Sequence, residues 1–175
     1  NFIKSDNYSA AIGPLEKAVA LCGWYESARG ALGECYLRLG RDEEAIAQFI
    51  EILKINPRST KTRNFLGVAY AGLNKYDDAQ AQFITVLKED PGFFNAYLNL
   101  GRLYEVRGNY DKAIKQYRMI LTNTPDLQDK AVIFIRIGDA YLKMDSRQEA
   151  KSSYLKALES AGKESDLIKK LVEDR

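Results

Sequence analysis

Residues 66–91 read LGVAYAGLNKYDDAQAQFITVLKEDP, and residues 100–125 read LGRLYEVRGNYDKAIKQYRMILTNTP. Laid over one another at an offset of 34, the two stretches share a skeleton. Each has Leu-Gly, a Tyr three residues after the Gly, an Ala twelve after it, an aromatic four beyond the Ala, and a closing Pro. The skeleton extends in both directions. Leu32-Gly33, Tyr36, Ala45, Phe49 and Pro57 precede it, and Ile137-Gly138, Tyr141, Ala150 and Tyr154 follow, with Gly162 in the closing place. The four glycines Gly33, Gly67, Gly101 and Gly138 are spaced by 34, 34 and 37 residues. Self-similarity at a period of this size is the signature of a repeat architecture.

Each unit contains two helical patterns. With a unit counted from residue 26, 60, 94 or 131, positions 4, 7, 8 and 11 fall within about 100° on a helical wheel and form the buried face of a first helix. Gly40, Asn74 and Gly108 then stand where a helix ends and the chain turns with positive φ. A second helix follows, with its small and aromatic residues at 20, 24 and 27, and proline stops it because it cannot donate an intrahelical hydrogen bond. The glycine at 8 and the alanine at 20 are expected to face each other, with the tyrosine at 11 and the aromatic at 24 beside that contact. Glu43-Glu44, Asp77-Asp78 and Asp111 open second helices, where they oppose the positive end of the helix dipole. A 34-residue helix pair buries too little surface to fold alone, so neighbours must stack.

The pattern Leu-Gly-x-x-Tyr, Ala-x-x-x-Phe/Tyr and Pro on a 34-residue period resembles the tetratricopeptide repeat (TPR). The resemblance covers 26–59, 60–93, 94–127 and 131–164. Residues 1–25 resemble the second half of another repeat through Phe2, Ala11, Leu15 and Ala18, and 165–175 read as a capping helix through Leu167, Ile168, Leu171 and Val172. Asp126 and Asp129, in the extra residues before the fourth unit, suggest a first helix lengthened by nearly one turn. The family resemblance implies an all-α fold, a right-handed superhelix (α-solenoid), here as a single domain over 1–175. It also marks a departure. The family's large aromatic at position 4 is Arg29, Arg63, Tyr97 and Phe134 here, which is expected to loosen packing in the first two repeats.

Composition narrows the function classes. Lys and Arg number 26 against 24 Asp and Glu, mixed in sign along the chain, with none of the basic stripe of a nucleic-acid binder. The longest apolar run, 131–135, is far short of a membrane span. The absence of histidine removes His-based triads, imidazole metal ligands and His general bases. Cys22 and Cys35 match no zinc or redox spacing and read as small buried side chains, so they point to no compartment. No Gly-x-Ser-x-Gly occurs, and Gly162-Lys163 lacks the rest of a phosphate loop. No cofactor or metal is expected, and the chain reads as a binding module, not an enzyme.

In the family this chain resembles, the face of the first helix at positions 2, 6, 9 and 13, flanked by 5 and 12, lines a concave peptide groove. Here that implies a partner-binding groove of Lys61, Asn64, Phe65 and Val68, then Asn95, Leu98, Asn99, Arg102 and Val106, then Ile135, Arg136, Asp139 and Leu142. Apolar residues on a face that the fold need not bury suggest a contact surface, and the amides and guanidinium groups between them can bind a peptide backbone or carboxylate. The family's carboxylate clamp for chaperone tails is matched only by Asn99 and Arg136, so that specialisation is not expected. The reading is therefore a scaffold or adaptor that binds a peptide segment or helix of a partner protein, with neither nucleic acid nor a membrane span involved. The alternative is a structural module that self-assembles or serves a larger protein or enzyme as its regulatory or targeting part.

Overall fold

A computed structural model describes residues 5–22, 26–123 and 130–161, with side chains from Asn7 onward. Among these, nine helices and no strand occur. Two compact bodies divide the chain. The N-terminal body, Asn1–Asp90, holds α1 (Ser5–Leu21), α2 (Glu26–Arg38), α3 (Asp42–Ile55), α4 (Thr60–Gly72) and α5 (Tyr76–Glu89). The C-terminal body, Pro91–Arg175, holds α6 (Phe94–Val106), α7 (Tyr110–Asn123), α8 (Lys130–Lys143) and α9 (Arg147–Ala161). Inside each body every helix packs on the next in sequence, as the repeat pattern requires. The capping helix expected at 165–175, the helix extension expected at 126–129, Gly162, and Phe2 of the leading half repeat lie outside the described residues.

The helix–helix turns repeat almost atom for atom. The amide of Arg41, Lys75, Asn109 and Ser146 donates to the carbonyl of Tyr36, Tyr70, Tyr104 and Tyr141 at 2.9, 2.9, 2.8 and 2.9 Å. One residue earlier the backbone is left-handed, at Gly40 (φ +70°), Asn74 (58°), Gly108 (+70°) and Asp145 (56°). This six-to-one closure satisfies carbonyls that the end of a helix would otherwise orphan. At the start of α4, the Ser59 hydroxyl accepts from the Thr62 amide at 3.4 Å. Helices α3 and α5 end before Pro57 and Pro91.

The core differs from the sequence expectation at its central contact. A Cβ added at Gly33 would meet the Phe49 ring at 2.5 Å, and one at Gly67 would meet Phe83 at 2.6 Å. Gly101 and Gly138 face Tyr117 and Tyr154 in the same way. The glycine at position 8 therefore faces the ring at position 24, and the alanine at 20 is not what a side chain there would strike first. The reason is side-chain direction: a long side chain on a helix leans over the turn preceding its own Cα, toward the helix N-terminus.

One further expectation is corrected. Cys22 is exposed and only Cys35 is buried, where burial pushes its thiol pKa up. Arg29 and Arg63 stand where the family has an aromatic. Their guanidinium groups donate to Gln48 Oε1 at 3.0 Å and Gln82 Oε1 at 3.3 Å on the paired second helix.

A direct test follows from the glycine contact. Tyr117 is fully buried, so its ring has nowhere to swing. Gly101→Ala should destabilise the protein by about 1–3 kcal/mol through overpacking, although alanine is the better helix former by about 1 kcal/mol. Gly13→Ala, in α1 with no atom within 4 Å of the added Cβ, should instead be neutral or stabilising. Denaturant unfolding of both variants decides it; equal midpoints would show that the ring yields to the methyl.

Candidate functional site

The face expected to bind a partner is carried by α4 in the N-terminal body and by α6 and α8 in the C-terminal body, and the two bodies treat it differently. On α4, the Phe65 ring stacks on Phe49 with centroids 5.7 Å apart and planes 15° from parallel, against the core that includes Leu32 and Ile52. Asn64 is buried at 6% exposure and engaged within the protein. Both therefore have duties in the fold, which corrects the expectation that this side carries none. Val68 is half-buried. Lys61 is exposed; its ammonium lies 3.3 Å from Glu34 and 5.5 Å from the Phe65 centroid. An exposed pair of this kind adds little stability.

In the C-terminal body the equivalent positions are polar. Phe49, Phe65 and Leu37 stand at position 24, position 6 of the next repeat, and position 12. Their counterparts are Tyr117, Arg136 and Glu105. Tyr117 is fully buried, and Glu105 and Arg136 are the polar groups acting on its hydroxyl. Burial first, then the Glu105 charge, pushes the phenol pKa far above its ordinary range, and Arg136 draws it back only in part. Burial likewise raises the Glu105 carboxyl; Tyr117, Arg136 and Arg102 pull it down while Asp139 adds to the rise. The other tyrosine at position 24, Tyr154, donates to Asp139 Oδ1 at 2.7 Å. A buried hydroxyl needs a polar partner, and these two tyrosines have charged groups beside them where Phe49 has the Phe65 ring.

Beside this network lies a cavity of about 330 Å³ between α6 and α8, lined by Glu105, Arg136 and Asp139 together with Val106, Tyr110, Lys143 and the buried Ala140. The structure thus brings together three of the expected residues, Val106, Arg136 and Asp139. Leu142 lies instead in a second depression, of about 660 Å³, with Tyr154 and Leu155 between α8 and α9. Asn95 and Arg102 are exposed, while Leu98, Asn99 and Ile135 are half-buried, Asn99 with interactions inside the protein. Sequence reasoning misses Tyr110 because it belongs to a second helix; a tyrosine at position 17 in both the second and third repeats, Tyr76 and Tyr110, is the available signal. Among the described residues no group of His, Cys, Asp or Glu could hold a metal ion, and no helix is long and apolar enough to cross a membrane.

Three tetratricopeptide repeat family models match residues 2–63, 66–127 and 131–164. No curated protein sequence matches the chain. Among solved structures, MamA is similar over 92% of each chain at 24% identity, with a TM-score of 0.79. TTC0263, a thermophilic TPR protein of Thermus thermophilus, is 24% identical, covering 95% of this chain and 89% of that one at a TM-score of 0.73. YrrB, described as a TPR protein with an unusual peptide-binding site, is 18% identical over 97% of this chain and 85% of that one, at 0.71. These likenesses show the fold, which is all-α and of the α-solenoid class.

The raised Glu105 carboxyl has a measurable consequence. A carboxyl raised in the folded state costs stability while it is charged, and the cost vanishes as pH falls through its folded pKa. Glu105→Gln, which carries no charge, should therefore melt at or above the wild type at neutral pH. The gap should close on acidification through the carboxylate range. A gap that widens as the pH falls would show that the charge stabilises the fold.

Proposed function

The chain belongs to the tetratricopeptide repeat family, and we propose that it is an adaptor that docks a segment of a partner protein on the exposed face of its first helices, above all on α6 and α8. The coarser role, a protein-interaction scaffold, goes with the family and fold. The finer one rests on one observation. Val106 and Val132, on this face, are 66% and 49% exposed, and the charged cavity of Glu105, Arg136 and Asp139 opens beside Val106. Apolar area around a few converging polar groups is the usual composition of a recognition site, and an amphipathic helix or an extended segment meets such a face through spaced anchors. A peptide-binding site on a protein of the same fold is consistent with this use.

Exposed positions allow a test that spares the core. Val106→Asp with Val132→Asp should leave the fold intact and weaken partner binding by about 1–3 kcal/mol if these are central contacts. Gln148→Asp with Ser152→Asp, both exposed on α9, makes the same charge change on a second helix and should cost little. Titration calorimetry against a peptide selected on the intact chain compares the two. Loss in the α9 pair alone would move the site to the second helices.

A further inference from the structure

We infer that a second cavity of the C-terminal body, about 320 Å³ between α7, α8 and α9, binds a small apolar acid through its carboxylate. It shares no lining residue with the α6–α8 cavity and is independent of the docking reading. A break in the repeat pattern makes the room. In the first two repeats, positions 4 and 23 are Arg and Gln, and they hydrogen-bond to each other as Arg29–Gln48 and Arg63–Gln82. The third keeps Gln116 at position 23, and its Tyr97 accepts from Asn123 Nδ2 at 3.2 Å. The fourth has Phe134 and Ser153 instead. The Phe134 ring carries no hydrogen-bonding group, and the short Ser153 side chain donates to the Glu149 carbonyl of its own helix at 2.8 Å. The place that Arg63 and Gln82 take up in the N-terminal body is therefore open here.

The lining selects the guest. Leu121, Phe134 and Ile137 supply apolar walls, and the charged groups, Arg118 and Lys156, are both cations. Among the described residues no carboxylate lines the cavity or pairs with either cation. Arg118 Nη2 donates to the neutral Tyr141 hydroxyl at 2.7 Å, which steadies the guanidinium and leaves its other N–H groups to serve a ligand. A carboxylate there takes charge-assisted hydrogen bonds from two cations, while its body covers the three apolar walls. An amine would enter against two like charges. Inorganic phosphate would leave the apolar walls in water. The volume lies at the lower end of the range usual for small-molecule sites, about 300–1,000 Å³.

Methyl NMR of the intact chain, titrated with 3-phenylpropionate, its amide and 3-phenylpropylamine, tests this. The acid should shift the methyls of Leu121 and Ile137 and bind at least tenfold more tightly than the amide or the amine. Lys156→Gln, at an exposed position of α9, should weaken it several-fold, whereas Lys115→Gln, exposed on α7 and outside the cavity, should change nothing. Ser153→Gln restores the residue of the other three repeats and should abolish binding by filling the cavity; if that variant does not fold, Lys156→Gln decides. A tripeptide ending in phenylalanine separates two sources of the same chemistry. Tighter binding than the free acid assigns the site to a chain terminus and weaker binding to a small molecule, and either supports it. Equal binding of acid, amide and amine, binding that survives Ser153→Gln in a folded chain, displacement by equimolar phosphate, or no shift at Leu121 and Ile137 would overturn the inference. So would binding that appears only after Asp126→Asn with Asp129→Asn, which would show that the chain's own carboxylates serve the two cations.

Discussion

The contact on which everything else depends is that of a bare glycine backbone with an aromatic ring. At Gly33, Gly67, Gly101 and Gly138 the ring from the paired helix occupies the space a Cβ would need. This lets the two helices of a repeat approach closely, and it fixes where the far end of the ring points. Phe49, Phe83, Tyr117 and Tyr154 are each almost wholly buried, so the rings cannot turn aside. The alanines Ala45, Ala79, Ala113 and Ala150, at most 1% exposed, fill the core one turn earlier on the same helices.

Because the ring is held so firmly, a single oxygen atom at its tip decides the character of the surface above it. Phe49 can be covered by Phe65 and neighbouring aliphatic groups, and that part of the face becomes core. Tyr117 and Tyr154 cannot be covered that way without stranding a hydroxyl, which costs about 1–3 kcal/mol. Asp139 answers Tyr154 with a 2.7 Å hydrogen bond, and Glu105 and Arg136 face Tyr117. The charges that make the α6–α8 cavity a candidate recognition site are thus a consequence of tyrosine at position 24. The residues that face the Tyr117 hydroxyl are thus also residues that line the cavity.

Much of this was legible in the sequence, and the remainder was hidden for identifiable reasons. The period alone places the helix pairs, and the turn at Gly40, Asn74 and Gly108 follows from the residues that tolerate positive φ. Asp145 takes the same conformation at 56° but offers a weaker signal. The partner of the glycine is misread from the letters because spacing on a wheel ignores the lean of side chains along the helix. Arg29 and Arg63 read as departures from the family, and their bonds to Gln48 and Gln82, nineteen residues on, are not visible in the letters. For the site, the wheel assigns Asn64, Phe65, Asn99 and Arg136 to one face. It cannot tell that Asn64 is buried and that Phe65 packs on Phe49. The pairing of Phe49 with Phe65, and of Tyr117 with Glu105 and Arg136, is nonetheless present in the letters once positions 24, 12 and the next 6 are compared.

The claim that binding uses the exposed face of the first helices is most directly tested by methyl NMR on the intact chain during titration with a selected peptide. Methyl groups of Val68, Leu98, Val106, Val132, Ile135 and Leu142 lie on first helices; those of Ile50, Ile55 and Leu155 lie on second helices and are exposed at 37%, 50% and 50%. Shifts concentrated at Leu98, Val106, Val132 and Ile135, with Ile50, Ile55 and Leu155 unmoved, are the predicted result. Shifts confined to Ile50, Ile55 or Leu155 would contradict it and place the partner on the second helices.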